Sequence, residues 1–175
     1  MSLATCRECN QQVSTEARLC PQCGAPRPSQ HDWNGTGIEW KSKSTLFGYP
    51  LVHIAFGRNQ KGKLRVAKGI VAIGQFAIGA ITVAQFGIGI LFGFGQFLAG
   101  IIIVAQFAGA FYFGLGQFAT GYVAIGQFVV AYYGLAQAGM GLHIWSVGSE
   151  DPIAVDLFKQ LWESVQSYLS GIISK

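Results

Sequence analysis

Ala72-Ile73-Gly74-Gln75-Phe76-Ala77-Ile78-Gly79-Ala80-Ile81-Thr82-Val83-Ala84-Gln85-Phe86 holds two copies of the pattern that decides the fold. Glutamine recurs at Gln75, Gln85, Gln96, Gln106, Gln117, Gln127 and Gln137, at intervals of 10, 11, 10, 11, 10 and 10. The first six are followed by phenylalanine: Phe76, Phe86, Phe97, Phe107, Phe118 and Phe128. Register this regular marks a repeat architecture. The positions two and four before each glutamine are large (Val83 and Ile81, Leu115 and Phe113), and the one between is small except at Ile103. Large and small in alternation is the period of an extended strand.

The residue before glutamine alternates at first between glycine and alanine (Gly74, Ala84, Gly95, Ala105, Gly116), which suggests a doubled unit of about 21 residues. That is the size of one turn of a two-sided parallel β-solenoid. A spacing of ten or eleven is also three helical turns, so period alone does not exclude helix. Composition argues against it: residues 69–141 contain 16 glycines, each costing about 0.8–1 kcal/mol relative to alanine in a helix. Three membrane helices of about 20 residues would fit the length, but no charged or proline-bearing loop interrupts the block. The expected fold is therefore mainly β, with polytopic membrane helices as the alternative. Stacked turns would align the glutamines into an amide ladder and the phenylalanines beside them into a second column.

Working outward, residues 69–149 contain no Asp, Glu, Lys or Arg, in a chain of 175 that is 51% hydrophobic and 11% charged. With the large side chains taken as the interior, the outward positions are still apolar, and a surface of that kind marks a membrane or assembly face. A stack of 3.5 turns would stand only about 17 Å tall, short of the hydrocarbon core of about 30 Å. Self-association or partial insertion is expected.

Charge is confined to the flanks. Lys41, Lys43, Arg58, Lys61, Lys63, Arg65 and Lys68 precede the block with no acidic residue among them. They form a face suited to anionic lipid, while few aromatics interleave to favour nucleic acid. Leu51 to Phe56 reads as a first strand and Arg58 to Lys63 as a basic loop. After the block, Asp151 and Pro152 open an amphipathic helix of about 22 residues carrying Ile153, Leu157, Leu161, Val165, Tyr168, Leu169 and Ile172 on one face. It is suited to cover an end of the stack or meet a partner.

At the other end, Cys6-x2-Cys9-x10-Cys20-x2-Cys23 supplies two thiolate knuckles, the closed tetrahedral sulfur shell of a structural zinc. Cys20-Pro21-Gln22-Cys23-Gly24 resembles the C-P-x-C-G turn of small zinc ribbons. With no secretory start, the thiols are expected in a reducing compartment. Residues 26–37, rich in Pro, Gly and polar side chains, read as a linker that holds His31. The organisation expected is ribbon 1–25, linker 26–37, basic lead-in strands 38–68, repeat 69–148 and helix 150–174.

The stretch Thr45–Arg58 followed by Ala67–Gly74 resembles the lead-in of a group of little-characterised bacterial proteins, in which such a phrase precedes an Ala/Gly/Ile-rich repeat, sometimes behind a zinc ribbon. The resemblance covers residues 40–140, implies a membrane-linked repeat protein and supplies no activity. The Gln-Phe steps depart from that group's Ala-Ile-Gly steps.

No catalytic constellation is visible. His31, His53 and His143 lie in separate segments, the acids sit at the ends, and zinc uses every cysteine. The expectation is a non-enzymatic, self-assembling, membrane-associated structural protein with a cytosolic zinc-ribbon docking knob. Its partners would be further copies of itself, the lipid membrane and a protein at the ribbon. The alternatives are a zinc-ribbon regulatory module merely anchored by the repeat, and a small polytopic helical channel.

Overall fold

The computed structural model describes residues 2–173; Met1 of the expected ribbon segment and residue 174 of the expected helix segment lie outside the described residues. Strands β1 (Leu3–Thr5) and β2 (Gln12–Ser14) form an antiparallel pair at the N-terminus. Four short strands follow: β3 (Glu39–Lys41), β4 (Thr45–Leu46), β5 (Tyr49–Pro50) and β6 (Val52–Ala55). The repeat is one extended run, β7 (Val66–Ser146). β8 (Ser149–Glu150) and helix α1 (Pro152–Ile173) complete the chain. The polytopic-helix alternative is corrected: the repeat is strand, and among the described residues no helix is long and apolar enough to cross a membrane.

β7 folds back on itself at every repeat. Consecutive repeat phenylalanines from Phe76 to Phe128 stack with ring centroids 4.6–5.9 Å apart and planes within 22° of parallel. Tyr112, Tyr122 and Tyr132 form a second column. Residues ten or eleven apart are thus vertical neighbours at strand spacing, and the 21-residue turn expected from the Gly/Ala alternation gives way to a level of a single repeat. The alternation has another cause. A Cβ on Gly95 or Gly116 would strike the carbonyl oxygen of Ala84 or Ala105 one level below, so these positions require glycine. Each falls where the spacing lengthens from ten to eleven.

The alternation of large and small is present, with its sense reversed. Ala72, Thr82, Ile103 and Ala124, the middle positions of their repeats, are fully buried, while large neighbours such as Val83, Phe94 and Leu115 are exposed. A level of ten or eleven residues encloses too little space for two rows of large side chains, so alanine and glycine fill the inside. The consecutive outward pairs Gln-Phe, and Phe111-Tyr112 half a repeat away, mark the two corners of a level.

Where a large residue does lie inside, glycine makes room for it. A Cβ on Gly93 would come within 2.7 Å of Ile103 Cδ1, and one on Gly134 within 2.7 Å of Val129 Cγ2. The buried hydroxyl of Thr82 donates to the Ile88 carbonyl at 2.8 Å, so the interior holds no unsatisfied group there.

Both ends of the stack are covered. β6 pairs in parallel with the first level of β7 (Val52 with Val71, Ala55 with Gly74), and β3 pairs antiparallel on its outer edge. At the far end β8 turns back antiparallel on Trp145 and Ser146. Helix α1 then docks through Ala154 and Phe158, the buried side chains of the helix among the described residues. The Asp151 carboxylate caps it as expected, accepting from the Ile153 and Ala154 amides at 3.0 and 3.2 Å. His143 Nδ1 lies 3.1 Å from the same oxygen, tying the last level to the helix start.

The fit of Gly93 to Ile103 sets a test. Ile103→Ala should cost about 2–5 kcal/mol and Gly93→Ala about 1–3 kcal/mol. The double variant should cost clearly less than their sum, because the new methyl enters the emptied space. Denaturant unfolding of the three variants checks this, and strict additivity would refute the inside-small arrangement.

Candidate metal centre and basic face

The two cysteine knuckles are built alike. The Cys6 amide donates to the Gln11 carbonyl and the Cys20 amide to the Ala25 carbonyl, both at 2.8 Å. Four residues after each leading cysteine, the Asn10 amide bonds back to Cys6 O at 3.0 Å and the Gly24 amide to Cys20 O at 2.9 Å. These two residues turn the chain with φ of 60° and 74°, a region open to glycine and, among other residues, most often to asparagine or aspartate. Gly24 was expected from sequence; Asn10 was missed, although it stands at the same offset from its knuckle.

The four sulfurs converge. Cys6 and Cys23 Sγ are 3.7 Å apart, Cys9 and Cys20 Sγ 3.6 Å, and all four lie within 4.8 Å of one another. A tetrahedral zinc with Zn–S of about 2.3 Å needs sulfurs about 3.8 Å apart, so the donor set fits the ion. Backbone amides of Cys9 and Glu8 favour the Cys6 thiolate and bring its pKa down to about 6. The Cys23 amide, with that of Gln22, lowers Cys20 against burial. Cys9 is raised: the Gln11 amide favours its thiolate, but burial and the Cys20 and Cys6 thiols outweigh it. At Cys23 the Ala25 amide is likewise outweighed by burial and the neighbouring sulfurs, which push it up to about 12. Four sulfurs this close do not all ionise without a cation among them.

The ribbon contacts the segments that follow it. Arg7 Nη2 donates to Pro26 O at 3.3 Å and to Gln60 O at 3.0 Å, and its guanidinium lies over Trp33 at 5.1 Å. Thr36 and Arg58 exchange two backbone bonds of 2.8 Å, and Gln60 Nε2 donates to Asn34 Oδ1 at 2.7 Å. The exposed His31 remains in this segment.

Three of the seven basic residues, Lys41, Arg58 and Arg65, are engaged by partners. Glu39, just upstream of them, accepts from Lys41 at 3.1 Å and from Arg65, while Arg58 donates to Gly62 O at 2.7 Å. Asn59 Oδ1 accepts from the Lys61 and Lys63 amides at 3.0 Å, shaping the loop that presents those side chains. Lys43, Lys61, Lys63 and Lys68 are exposed and pair with no acidic group among the described residues. The buried His53 accepts from the Lys68 amide at Nδ1, 2.8 Å, which leaves its Nε2 3.5 Å from Glu39. The Glu39 hub was missed by sequence reasoning, because its partners are scattered from Lys41 to Arg65.

The repeat glutamines stand outside. Gln75 is half-buried and the other six are exposed. Among the described residues no side-chain hydrogen bond joins one of these amides to the next, whereas the phenylalanines beside them stack.

Residues 5–27 match the zinc-ribbon domain family. No curated protein and no solved structure matches the chain. Residues 5–27 are therefore a zinc-ribbon domain whose four cysteines can bind a structural zinc ion.

One zinc per chain is expected by elemental analysis, and Cys20→Ser should abolish it. Because Cys23 holds its proton near neutral pH, loading should release protons and affinity should fall as the pH drops. Zinc binding that is independent of pH, or that survives Cys20→Ser, would contradict the site. At Glu39, hydrogen bonding from Lys41 and the charge of Arg65 hold the carboxyl below its ordinary value against partial burial. Its contribution to stability is therefore present above the unfolded pKa of about 4.3 and lost as the pH falls through the folded value. Denaturation midpoints between pH 2 and 7 should show a shallower acid loss in Glu39→Gln than in the parent; identical profiles would exclude the hub from stability.

Proposed function

We propose that β7 is a two-sided β-solenoid, one repeat per turn, embedded in a lipid bilayer as a non-enzymatic scaffold that holds the zinc ribbon at the membrane surface as a docking knob. The observation that carries this reading is the direction of the side chains. Alanine and glycine line the inside, while phenylalanine, isoleucine, leucine and tyrosine cover the outside over 81 residues without a charge. Phe94 is 55% exposed and Phe111 82%. A water-soluble monomer rarely exposes more than a few hundred Å² of contiguous apolar surface.

The dimensions agree. With one repeat per turn, the charge-free block makes roughly 7.5 levels, about 36 Å at strand spacing. This replaces the 17 Å of a doubled turn and exceeds the hydrocarbon core of about 30 Å. Lipid tolerates only backbone that is satisfied internally. Stacked levels satisfy one another along the axis, and the two edges fall at the ends, beside β3 and β8, where charge resumes.

The ends differ in sign. Lys43, Lys61, Lys63 and Lys68 attach to the ribbon end, Glu150 and Asp151 to the other. A basic end is drawn to the anionic cytoplasmic leaflet by about 1 kcal/mol per residue. The same side keeps thiols reduced for zinc. Arg7 favours a scaffold over a free-swinging regulatory module, because it fixes the ribbon against the Gln60 loop.

The full-length protein is expected in the membrane pellet after high-salt and alkaline washes. Phe94→Lys with Leu115→Lys, placing two charges outward near mid-height at about 2–4 kcal/mol each, should move it out. A parent protein recovered as a dissolved monomer without detergent would refute the proposal.

A further inference from the structure

The glutamine column is an anomaly on an otherwise apolar exterior. Along one side of β7 each level presents two large apolar residues and then glutamine: Ile81, Val83 and Gln85; Ile102, Val104 and Gln106; Phe113, Leu115 and Gln117. Among the described residues these amides have no side-chain hydrogen bond. Each carries two N–H donors and two acceptor lone pairs. Turning the amides to bond up and down the column would use one donor and one acceptor of each, leaving the others pointing out. In a hydrocarbon environment those groups need a partner, and the partner must repeat at the same spacing along the same length.

We infer that two copies of this chain pair side by side and in parallel within the bilayer through this column, Gln85 to Gln117 of one facing Gln85 to Gln117 of the other. The inference rests on the membrane reading above. A second copy in the same orientation offers the required spacing, and the face carries no charge that would repel its twin. Helix α1 sets the upper limit of the contact, since with Ile125, Leu135 and Trp145 it lines a groove of about 420 Å³ on the last levels. The face from Gln85 to Gln117 is about 16 Å wide and about 19 Å tall, close to 300 Å² a copy. That is less than half of the roughly 800 Å² that a standard interface in water buries per partner. In lipid, amide hydrogen bonds and close packing drive association, so a contact of this size belongs there.

Cross-linking in membranes tests this. Gln85→Cys, Gln106→Cys and Gln117→Cys, one at a time in the zinc-loaded full-length chain, are treated with a short bismaleimide, with Tyr112→Cys half a repeat away as the control. A covalent dimer at each of the three positions, at least fivefold above the control, is expected. Adding Gln96→Leu with Gln106→Leu to Gln85→Cys should lower its yield severalfold. A protein that stays in the membrane pellet yet cross-links no better than the control overturns the pairing and leaves the membrane reading standing. Dimers at one level only would mean antiparallel copies, and products larger than dimers a ring; either overturns the parallel pair. Loss from the membrane pellet overturns the membrane reading and the pairing with it.

Discussion

Everything in the repeat follows from the narrowness of a level. In the proposed solenoid, with one repeat per turn, ten or eleven residues leave room inside for methyl groups and little else. The inward positions are therefore alanine and glycine, and a leucine, isoleucine or valine enters only where neighbouring glycines stand aside, as Gly93 does for Ile103. The usual hydrophobic core cannot form in such a space. Burial of small side chains contributes little apolar area per residue, so the levels are held chiefly by their backbone bonds and by outward columns of stacked rings. Each aromatic step contributes about 0.5–1.5 kcal/mol beyond its area. The large side chains, displaced outward, leave the repeat with an apolar exterior, which the proposed bilayer would cover.

Apart from the glutamine column and the Thr82 hydroxyl, the same geometry gathers the charged groups at the two ends. Edge strands are sites of unwanted pairing; here the first level is met by parallel β6 with β3 outside it and the last by antiparallel β8, each beside a local polar device. At the first level, His53 takes the Lys68 amide while Glu39 gathers Lys41 and Arg65. At the last, one Asp151 oxygen serves His143 and the first turn of α1 together. Charge resumes where the levels stop, and the molecule acquires a basic pole and an acidic pole along its axis.

Much of this was legible in the sequence, and the misreadings have physical causes. Strand was readable because glycine and β-branched residues at period two disfavour helix. Which face was inside was not, because in-and-out assignment ordinarily uses polarity, and neither face of residues 69–149 carries charge. Volume is the signal that remains: a row as small as Ala72, Thr82, Gly93 and Gly114 can be the inner one only if a level is short. The Gly/Ala alternation was read as a doubled unit, whereas it records a clash with the carbonyl one level below. The zinc ligands were legible because their spacing is local; the Arg7 and Glu39 contacts were not, since they join segments tens of residues apart.

The ribbon and the repeat are stabilised by different agents, and this bears on why they are joined. Twenty-odd residues cannot bury enough surface to fold on apolar contacts alone, and a metal supplies the difference. The repeat carries no metal-ligand set among the described residues, and its exterior is apolar. The two meet at Arg7, whose guanidinium bridges Pro26 of the ribbon segment and Gln60 of the lead-in loop. A link of that kind keeps the zinc-bound knob at a fixed place on the basic pole. In the proposed scaffold, such a mount would present a docking surface at a set height above the membrane.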